Sequence, residues 1–226
     1  MITGYLFLTL LFDYEKGWNW ENLTYTDFFT LPGFFRNLFF NGFHPVLPWA
    51  AFLLTGLWIG RLNLKDRKVR RKTMLISLLM FISVKLLSYF TIMILTMNSP
   101  GEAEEINYMF GTEPMPPSIF YMLSGSSLAV FIISISVSIT ERFEKKPLVK
   151  QLISMGQLAL TIYIAHVLIG MLALEFIFGA VESAFGIQFI VLYAIIFIVL
   201  SILFSHYWRK RFSRGPLEYL MRKITG

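Results

Sequence analysis

Cysteine is absent from this sequence, and aspartate, glutamate, lysine and arginine together make up only 15% of its 226 residues. The lack of cysteine excludes disulfide bonds, thiolate metal sites and a cysteine nucleophile. The lack of charge, set against 56% hydrophobic residues, leaves too few polar side chains to cover a water-soluble domain. The composition therefore predicts an integral membrane protein that contacts the lipid bilayer.

Histidine is nearly as scarce, with only His44, His166 and His206 in the chain. The three lie on separate segments without the ligand spacing of a zinc site, so no metal is predicted. A phosphate-binding loop, a GxSxG nucleophile elbow and an HExxH motif are missing as well. Any chemistry must therefore depend on isolated polar residues at defined positions in the membrane.

Basic residues are plentiful, and their distribution is more informative than the net charge of +6. The stretches Arg61–Lys72, Arg142–Lys150 and Arg209–Lys223 hold 17 of the 20 lysines and arginines, and most acidic residues lie outside these stretches. Such alternation is what the positive-inside rule predicts. We interpret the basic stretches as cytoplasmic anchors near anionic lipid headgroups, and nucleic acid is not a predicted partner.

Apolar runs between the charged loops predict an all-α multipass transmembrane helix bundle that forms one membrane domain, residues 1–226. The expected organisation is five complete spans, one partial N-terminal span, an outer interfacial loop and a cytoplasmic tail. In chain order the predicted segments are 1–12 (partial span), 13–44 (outer interfacial loop), 45–60, 73–97, 119–140, 152–178 and 189–208 (complete spans) and 209–226 (tail).

The two ends of the chain carry their own predictions. Residues 1–12 would reach about 18 Å as a helix, against a hydrocarbon core of about 30 Å. We therefore interpret them as the outer part of a helix whose beginning is absent. The tail is basic and amphipathic, so we expect it to lie along the inner membrane surface.

Lys85 lies in the middle of the predicted span 73–97. A charge near the bilayer centre costs at least about 2.5–3.5 kcal/mol, so the side chain should face the bundle interior and find a partner there. Two interpretations stay open. Lys85 either forms an ion pair with Glu175 or binds an anionic group of a substrate. In the preceding span, Gly56 and Gly60 form a GxxxG pair, which favours close packing of a partner helix.

His44 lies at the outer mouth of the first complete span, where a group that titrates near neutral pH suits a general base. The alternative is an interfacial histidine at a helix start, just before Pro45. Its sequence neighbours Arg36, Asn41 and Trp49 are candidates for substrate binding.

Polar residues also mark the span 152–178. Tyr163, His166 and Gly170 share one face at about 100° per residue. His166 would serve in an interhelical hydrogen bond or in a proton or substrate role, and Tyr163 is a candidate for substrate binding. At the inner end of the first complete span, Arg61 is either a topology anchor or a contact for the phosphates of a cytoplasmic cofactor.

Three stretches together resemble one family. They are RNLFFNGFHPVLPWAAFLLTGLWIGR (Arg36–Arg61), GQLALTIYIAH (Gly156–His166) and FSRGPLEYLMRKIT (Phe212–Thr225). In this order they are similar to the C-terminal half of YeiB-like membrane proteins. Those proteins belong to the transmembrane acyltransferases, which include the lysosomal heparan-alpha-glucosaminide N-acetyltransferase. The shared order and the final GPLE make the set more specific than any one motif.

The resemblance implies transfer of an acetyl group from cytosolic acetyl-CoA, through a helix bundle, to an amino sugar or glycan beyond a bacterial cytoplasmic (inner) membrane. Arg61 would face the CoA phosphates. His44 and His166 would be catalytic, and Asn41 would line the outer end of the path. Family members carry further helices ahead of the matched region, and these include the segment that supplies the catalytic histidine. The alternative is therefore a non-catalytic membrane subunit, or a truncated family member, that packs against partner helices or a second copy.

Overall fold

A computed structural model describes residues 5, 8–9, 11–19, 21–22, 24–114, 117–178 and 186–226. Within this part of the chain, regular structure is almost wholly helical, which confirms the all-α prediction. Most of the predicted partial span 1–12 falls outside the described residues, although Tyr5, Leu8, Thr9 and Leu11 are helical.

The elements follow one another along the chain with short connections. The α-helices are α1 (Leu31–Arg36), α2 (Val46–Gly60), α3 (Arg67–Asn98), α4 (Ala103–Phe110), α5 (Ile119–Phe143), α6 (Pro147–Gly156), α7 (Ala159–Ala165), α8 (Leu172–Phe178), α9 (Ile187–Arg209) and α10 (Pro216–Thr225). The remaining elements are the antiparallel strands β1 (Trp18–Asn19) and β2 (Thr24–Tyr25), the π-helices Asn37–Asn41 and His166–Met171, and the 3-10 turn Pro100–Glu102.

Four helical segments among the described residues are long and apolar enough to cross a membrane: Arg67–Asn98, Ile119–Phe143, Ala159–Phe176 and Ile187–Arg209. The predicted span 45–60 forms only the 15-residue helix α2, about 22 Å long, which is too short to cross alone. Together with Leu31–Asn41 it meets the same criterion across a 44° bend. The described chain therefore has four spans, or five if the bent pair is a single crossing.

Helix starts follow from local chemistry. Asp66 precedes α3, and its carboxylate accepts a hydrogen bond from the Lys68 N–H at 2.7 Å. Thr30 caps α1 in the same way, because its hydroxyl oxygen accepts from the Gly33 N–H at 3.1 Å. These side chains satisfy N–H groups that have no partner inside the first helical turn. Helices α6 and α10 instead begin with proline, which suits the first turn.

The chain divides into two compact units, Met1–Ser138 and Ile139–Gly226, and each is described by itself. In the first unit, the predicted interfacial loop 13–44 is far from irregular. It contains the β1–β2 hairpin, α1 and the π-helix Asn37–Asn41. A two-stranded hairpin this short is only marginally stable alone, so it depends on the contacts that it makes with the helical part of the unit.

Helix α4 folds back along α3 in the first unit. The Ser88 hydroxyl donates to the Phe110 carbonyl at 2.6 Å, and Lys85 Nζ donates to Thr112 Oγ1 at 2.5 Å. Lys85 lies about 20 Å along α3 from its end at Asn98. The connection between α3 and α5 therefore reaches deep along the α3 surface, where we had expected only an outer loop.

Small residues of α5 pack closely. Ser127 and Ser134 are buried, and their hydroxyls donate to carbonyls one turn earlier at 2.6 and 2.8 Å. Gly125 lies against the Phe52 ring of α2, since an ideal Cβ at Gly125 would be 3.1 Å from two ring carbons. The GxxxG pair of α2 behaves differently: no described atom lies within 4 Å of an ideal Cβ at Gly56.

The second unit interrupts the predicted span 152–178. Helix α6 ends at Gly156, α7 begins at Ala159, and the buried Leu158 lies in the break between them. Helix α6 packs against α9. The apolar run alone did not show this break, because Gln157 and Leu158 are both compatible with a continuous helix.

We expect Gly125→Val to destabilise the first unit by about 1–3 kcal/mol, because the larger side chain would overlap the Phe52 ring. Gly56→Val is the matched control, since it puts the same side chain on a helix glycine with open space around it. Denaturation of both variants in detergent would measure the difference. Equal destabilisation would contradict the contact between α5 and α2.

Candidate functional site

His44 lies in an aromatic cluster at the start of α2, which we call the aromatic mouth and define as His44, Trp49, Phe52 and Tyr121. The imidazole ring is 4.8 Å from the Trp49 ring, centre to centre. The Trp49 ring in turn lies 5.8 Å from Phe52 and 5.9 Å from Tyr121. His44 itself is exposed, so a ligand can reach its imidazole ring.

Trp49 has an unusual polar group. Its Nε1 is buried and has no hydrogen-bond partner among the described residues. A buried donor without a partner costs about 1–3 kcal/mol, so such groups in native proteins call for an explanation. Because this N–H belongs to the ring that contacts His44, a ligand bound at the aromatic mouth would have both a proton acceptor and a donor beside it.

Arg36 lies in a set of polar contacts that we call the clasp and define as Tyr25, Asp27, Arg36 and Asn41. Its Nη2 forms an ion pair with Asp27 Oδ2 at 2.8 Å, and its Nε donates to the Tyr25 hydroxyl at 2.7 Å. The Tyr25 hydroxyl donates to Asn41 Oδ1 at 2.8 Å. The clasp therefore joins strand β2 to the end of the π-helix Asn37–Asn41.

Asn41 is fully buried. Its side-chain Nδ2 donates to the carbonyls of Tyr14 and Lys16 at 2.7 and 2.9 Å. Its backbone carbonyl accepts from Trp18 Nε1 at 2.5 Å. Both amide hydrogens and the amide oxygen thus have protein partners. In this geometry Asn41 and Arg36 hold the hairpin in place ahead of His44, and their predicted substrate-binding roles stay predictions.

Arg61 follows the last residue of α2, and its side chain is exposed. Nearby Arg70 is different, because it is buried and donates to Ser138 Oγ at 2.9 Å and to the Leu64 carbonyl at 2.8 Å. Of these two arginines, only Arg61 is open to an anionic ligand. The sequence grouped Arg70 with the other basic residues of its stretch, and nothing in its local pattern marked it as buried.

Lys85 has a hydroxyl partner in its own unit, Thr112, rather than a carboxylate. A neutral partner leaves the positive charge uncompensated, so the contact does not exclude binding of an anionic group. The predicted pairing with Glu175 and the predicted substrate role of Lys85 both stay predictions.

His166 opens the second π-helix, His166–Met171, in the second unit. Its ring lies 5.4 Å from Phe197 of α9, and the Tyr193 hydroxyl donates to the Gly170 carbonyl at 2.7 Å. A π-helix frees carbonyls from their usual partners and is frequent at functional sites. His166 and Tyr163 are both exposed. Their predicted catalytic and substrate-binding roles stay predictions, as does a shared site with His44.

Glu218 of the GPLE stretch joins α10 to the start of α7. Its carboxylate accepts from the Thr161 N–H at 3.0 Å and from the Thr161 hydroxyl at 2.5 Å. The same hydroxyl oxygen accepts from the Leu217 N–H at 3.2 Å. Gly215 is required beside it, since an ideal Cβ there would be 2.0 Å from Glu218 Oε2. We call this arrangement the latch and define it as Thr161, Gly215, Leu217 and Glu218.

The latch also sets the protonation of its carboxyl group. Burial alone would raise the pKa of Glu218, but hydrogen bonds from the Thr161 side chain and backbone outweigh that effect, and the pKa lies below its ordinary value. The sequence singled out GPLE as specific without showing its role, because Thr161 is 57 positions away.

Comparison with known proteins gives a family assignment. The model of the family described as "Protein of unknown function (DUF418)" matches residues 59–226, which is more than half of the chain. No curated protein and no solved structure matches. The matched region contains Arg61, Lys85, His166 and Glu218, whereas His44 lies ahead of it.

Asn41→Leu should lower the free energy of unfolding by about 3 kcal/mol, because it leaves the Tyr25 hydroxyl and the carbonyls of Tyr14 and Lys16 without their partner. His44→Ala, only three positions away but exposed, should change stability by no more than about 0.5 kcal/mol. Denaturation in detergent would measure both. A stable Asn41→Leu variant would contradict the structural role and favour the predicted substrate-binding role of Asn41.

The latch should weaken in acid. The lowered pKa means that the stabilisation is fully present above the ordinary value of 4.5 and is lost as the pH falls through the lowered one. We expect Glu218→Gln to reduce Tm by about 2–4 °C at neutral pH, the shift that corresponds to about 1 kcal/mol in a chain of this size. The difference from wild type should shrink as the pH falls below 4.5.

A thermal unfolding series across that pH range would test the latch, with Glu144→Gln as the control because Glu144 is exposed. A difference between Glu218→Gln and wild type that stays constant with pH would contradict a charged latch.

Proposed function

The chain belongs to the DUF418 family, which is the YeiB-like family, and from that premise we propose that it acts in a membrane-embedded acyltransferase. The reaction would move an acetyl group from cytosolic acetyl-CoA to an amino sugar or glycan on the other side of a bacterial inner membrane. The C-terminus would lie in the cytoplasm. The family is described as one of unknown function, so the activity rests on the resemblance to transmembrane acyltransferases and on the geometry of α2.

One observation carries the proposal: a single helix has a proton acceptor at one end and a cation at the other. His44 is exposed just before α2, and Arg61 is exposed just after it. The helix between them is about 22 Å long. Acetyl transfer across a membrane needs both ends, because the acceptor must be deprotonated on one side while phosphates are bound on the other.

The residues present suit such ligands. The Arg61 guanidinium would hold phosphates of acetyl-CoA, and the basic stretch Arg61–Lys72 would add a favourable potential around it. The cofactor supplies an activated acetyl group when bound. At the aromatic mouth, the faces of Trp49 and Tyr121 offer stacking surfaces for the apolar side of a sugar ring, and the unpartnered Trp49 Nε1 would donate to a sugar oxygen.

His44 would perform the proton transfer. The acceptor amine or hydroxyl forms a bond to the acetyl carbon, the bond between that carbon and the CoA sulfur breaks, and the products are the acetylated acceptor and the CoA thiol. His44 would take the proton that the acceptor loses and return it toward the departing sulfur. No oxidant or further reactant is needed. Through the hydrogen bonds of the clasp, Asn41 and Arg36 would hold the backbone ahead of His44 in position.

The first experiment is calorimetric titration of acetyl-CoA into the detergent-purified chain. We expect saturable binding that Arg61→Ala weakens about tenfold or more, the effect of losing one charge-assisted contact of about 1.4 kcal/mol. Arg142→Ala is the control, since it removes an arginine from a different basic stretch. Acetyl transfer to glucosamine in proteoliposomes should fall about 10²–10⁴-fold in His44→Ala and persist in His206→Ala.

A folded chain that neither binds acetyl-CoA nor transfers acetyl groups would overturn the proposal and favour the second candidate, a non-catalytic membrane subunit. One observation supports that candidate: no described atom contacts the Cβ positions of Gly56 and Gly60. A GxxxG face of this kind permits close approach of a partner helix or a second copy. The resemblance to acyltransferases makes the enzyme the leading proposal.

A further inference from the structure

Helix α10 carries an apolar stripe that is exposed in this structure. Leu220, Met221 and Ile224 are 49%, 50% and 76% exposed. At about 100° per residue they share one side of the helix, while Arg222 and Lys223 lie on the other. A short helix with this division of apolar and basic residues is typical of segments that lie in a membrane interface.

The turn before α10 adds positive charge at a defined place. The Phe212 ring stacks on Trp208 at 4.4 Å, and Trp208 Nε1 donates to the Arg214 carbonyl at 2.9 Å. These contacts order the turn at the end of α9 and leave Lys210, Arg211 and Arg214 exposed. Several cations are thus held where a membrane-crossing helix ends, which is the level of lipid headgroups.

The latch fixes the position of the one opposing charge in this stretch. Glu218 is the only acidic residue between Arg209 and Gly226, against six basic ones. Its carboxylate is occupied by the hydroxyl and backbone N–H of Thr161. The surface that α10 and the turn present is therefore apolar and cationic, which complements the negative charge of anionic lipids.

We propose that α10 and the turn Arg209–Arg214 form a docking surface for an anionic lipid bilayer, and that the latch sets the rotation of α10 so that its stripe meets the acyl chains. The proposal does not depend on acyl transfer. The docking surface is connected to α7 of the second unit through the latch. Thr161 belongs to α7, which also holds Tyr163 and ends beside His166. Lipid binding to α10 would thereby steady the helix that positions these two residues.

A bilayer fits this surface better than an acidic peptide does. The stripe covers Leu220 to Ile224, and its exposed residues have no charged or hydrogen-bonding group, so it matches an apolar phase rather than a set of separate pockets. The basic residues flank it from both the preceding turn and the far side of α10. In the experiment, a peptide site would give a label on the stripe that acyl-chain quenchers do not reach.

The natural absence of cysteine allows a direct test with the full chain. Ile224→Cys places a fluorescent label on the stripe, and Thr225→Cys places the same label about 100° away as the matched control. Each would be reconstituted in nanodiscs of phosphatidylcholine alone or mixed with phosphatidylglycerol, with brominated acyl chains as quenchers. We expect the label at position 224 to be quenched several-fold more than that at 225, and only when phosphatidylglycerol is present.

Charge removal then tests the electrostatic part. Each of Arg222→Gln and Lys223→Gln should weaken the lipid-dependent quenching about fivefold, the factor that corresponds to about 1 kcal/mol per basic residue near an anionic surface. Glu218→Gln should reduce the difference between positions 224 and 225, because α10 would lose its fixed rotation. Equal quenching at the two positions in the wild-type background, or quenching independent of phosphatidylglycerol, would overturn the docking surface. An unchanged difference in Glu218→Gln would overturn the role of the latch.

Discussion

Lipid offers no hydrogen-bond partners, and this constraint decides how the polar residues of the chain are used. The serines of α5 and α9 turn their hydroxyls back onto carbonyls of the preceding turn, as Ser134 and Ser205 do at 2.8 and 2.7 Å. Arg70 is buried with a serine hydroxyl and a carbonyl as acceptors. Because so many polar groups are satisfied internally, the unpartnered Trp49 Nε1 differs from the other buried side-chain nitrogens and oxygens of the described residues.

Because of the same constraint, the clasp, which stabilises the fold, differs from the aromatic mouth, which is the candidate binding site. At one end of α2, the clasp satisfies every polar atom of the Asn41 side chain and ties a marginal hairpin to helical structure. The aromatic mouth beside it is held by ring contacts and not by hydrogen bonds, which leaves polar groups available there. A rigid polar frame next to an incompletely satisfied aromatic cluster is a good arrangement for binding a ligand with both apolar and polar sides.

Composition and charge pattern were sufficient to predict the fold class and most long helices, because apolar length and flanking basic residues act locally. The roles of residues whose hydrogen-bond partners are distant in sequence could not be predicted from these local patterns. Asn41 is predicted to contact substrate because it lies near His44 in sequence, whereas its hydrogen-bond partners, 16 to 27 residues away, could not be predicted. Glu218 and Thr161 are 57 positions apart, so the GPLE stretch was recognisable while its contact was not. Burial of Arg70 was equally invisible among its exposed basic neighbours.

The π-helix His166–Met171 determines how the faces of α7 and α8 are related and whether a residue can be deleted between them. A π turn holds one residue more than an α turn. The helical segments on either side of it are therefore rotated about the helix axis by about 100° relative to their positions in a continuous α-helix of the same sequence. Counting at 100° per residue along the predicted span 152–178 is therefore out of phase beyond this turn. The surplus residue is already absorbed locally, beside the Tyr193 contact to Gly170. Deleting one position between His166 and Met171 would restore an ordinary α turn and leave α8 facing as it does now, so chain length is adjustable at this point.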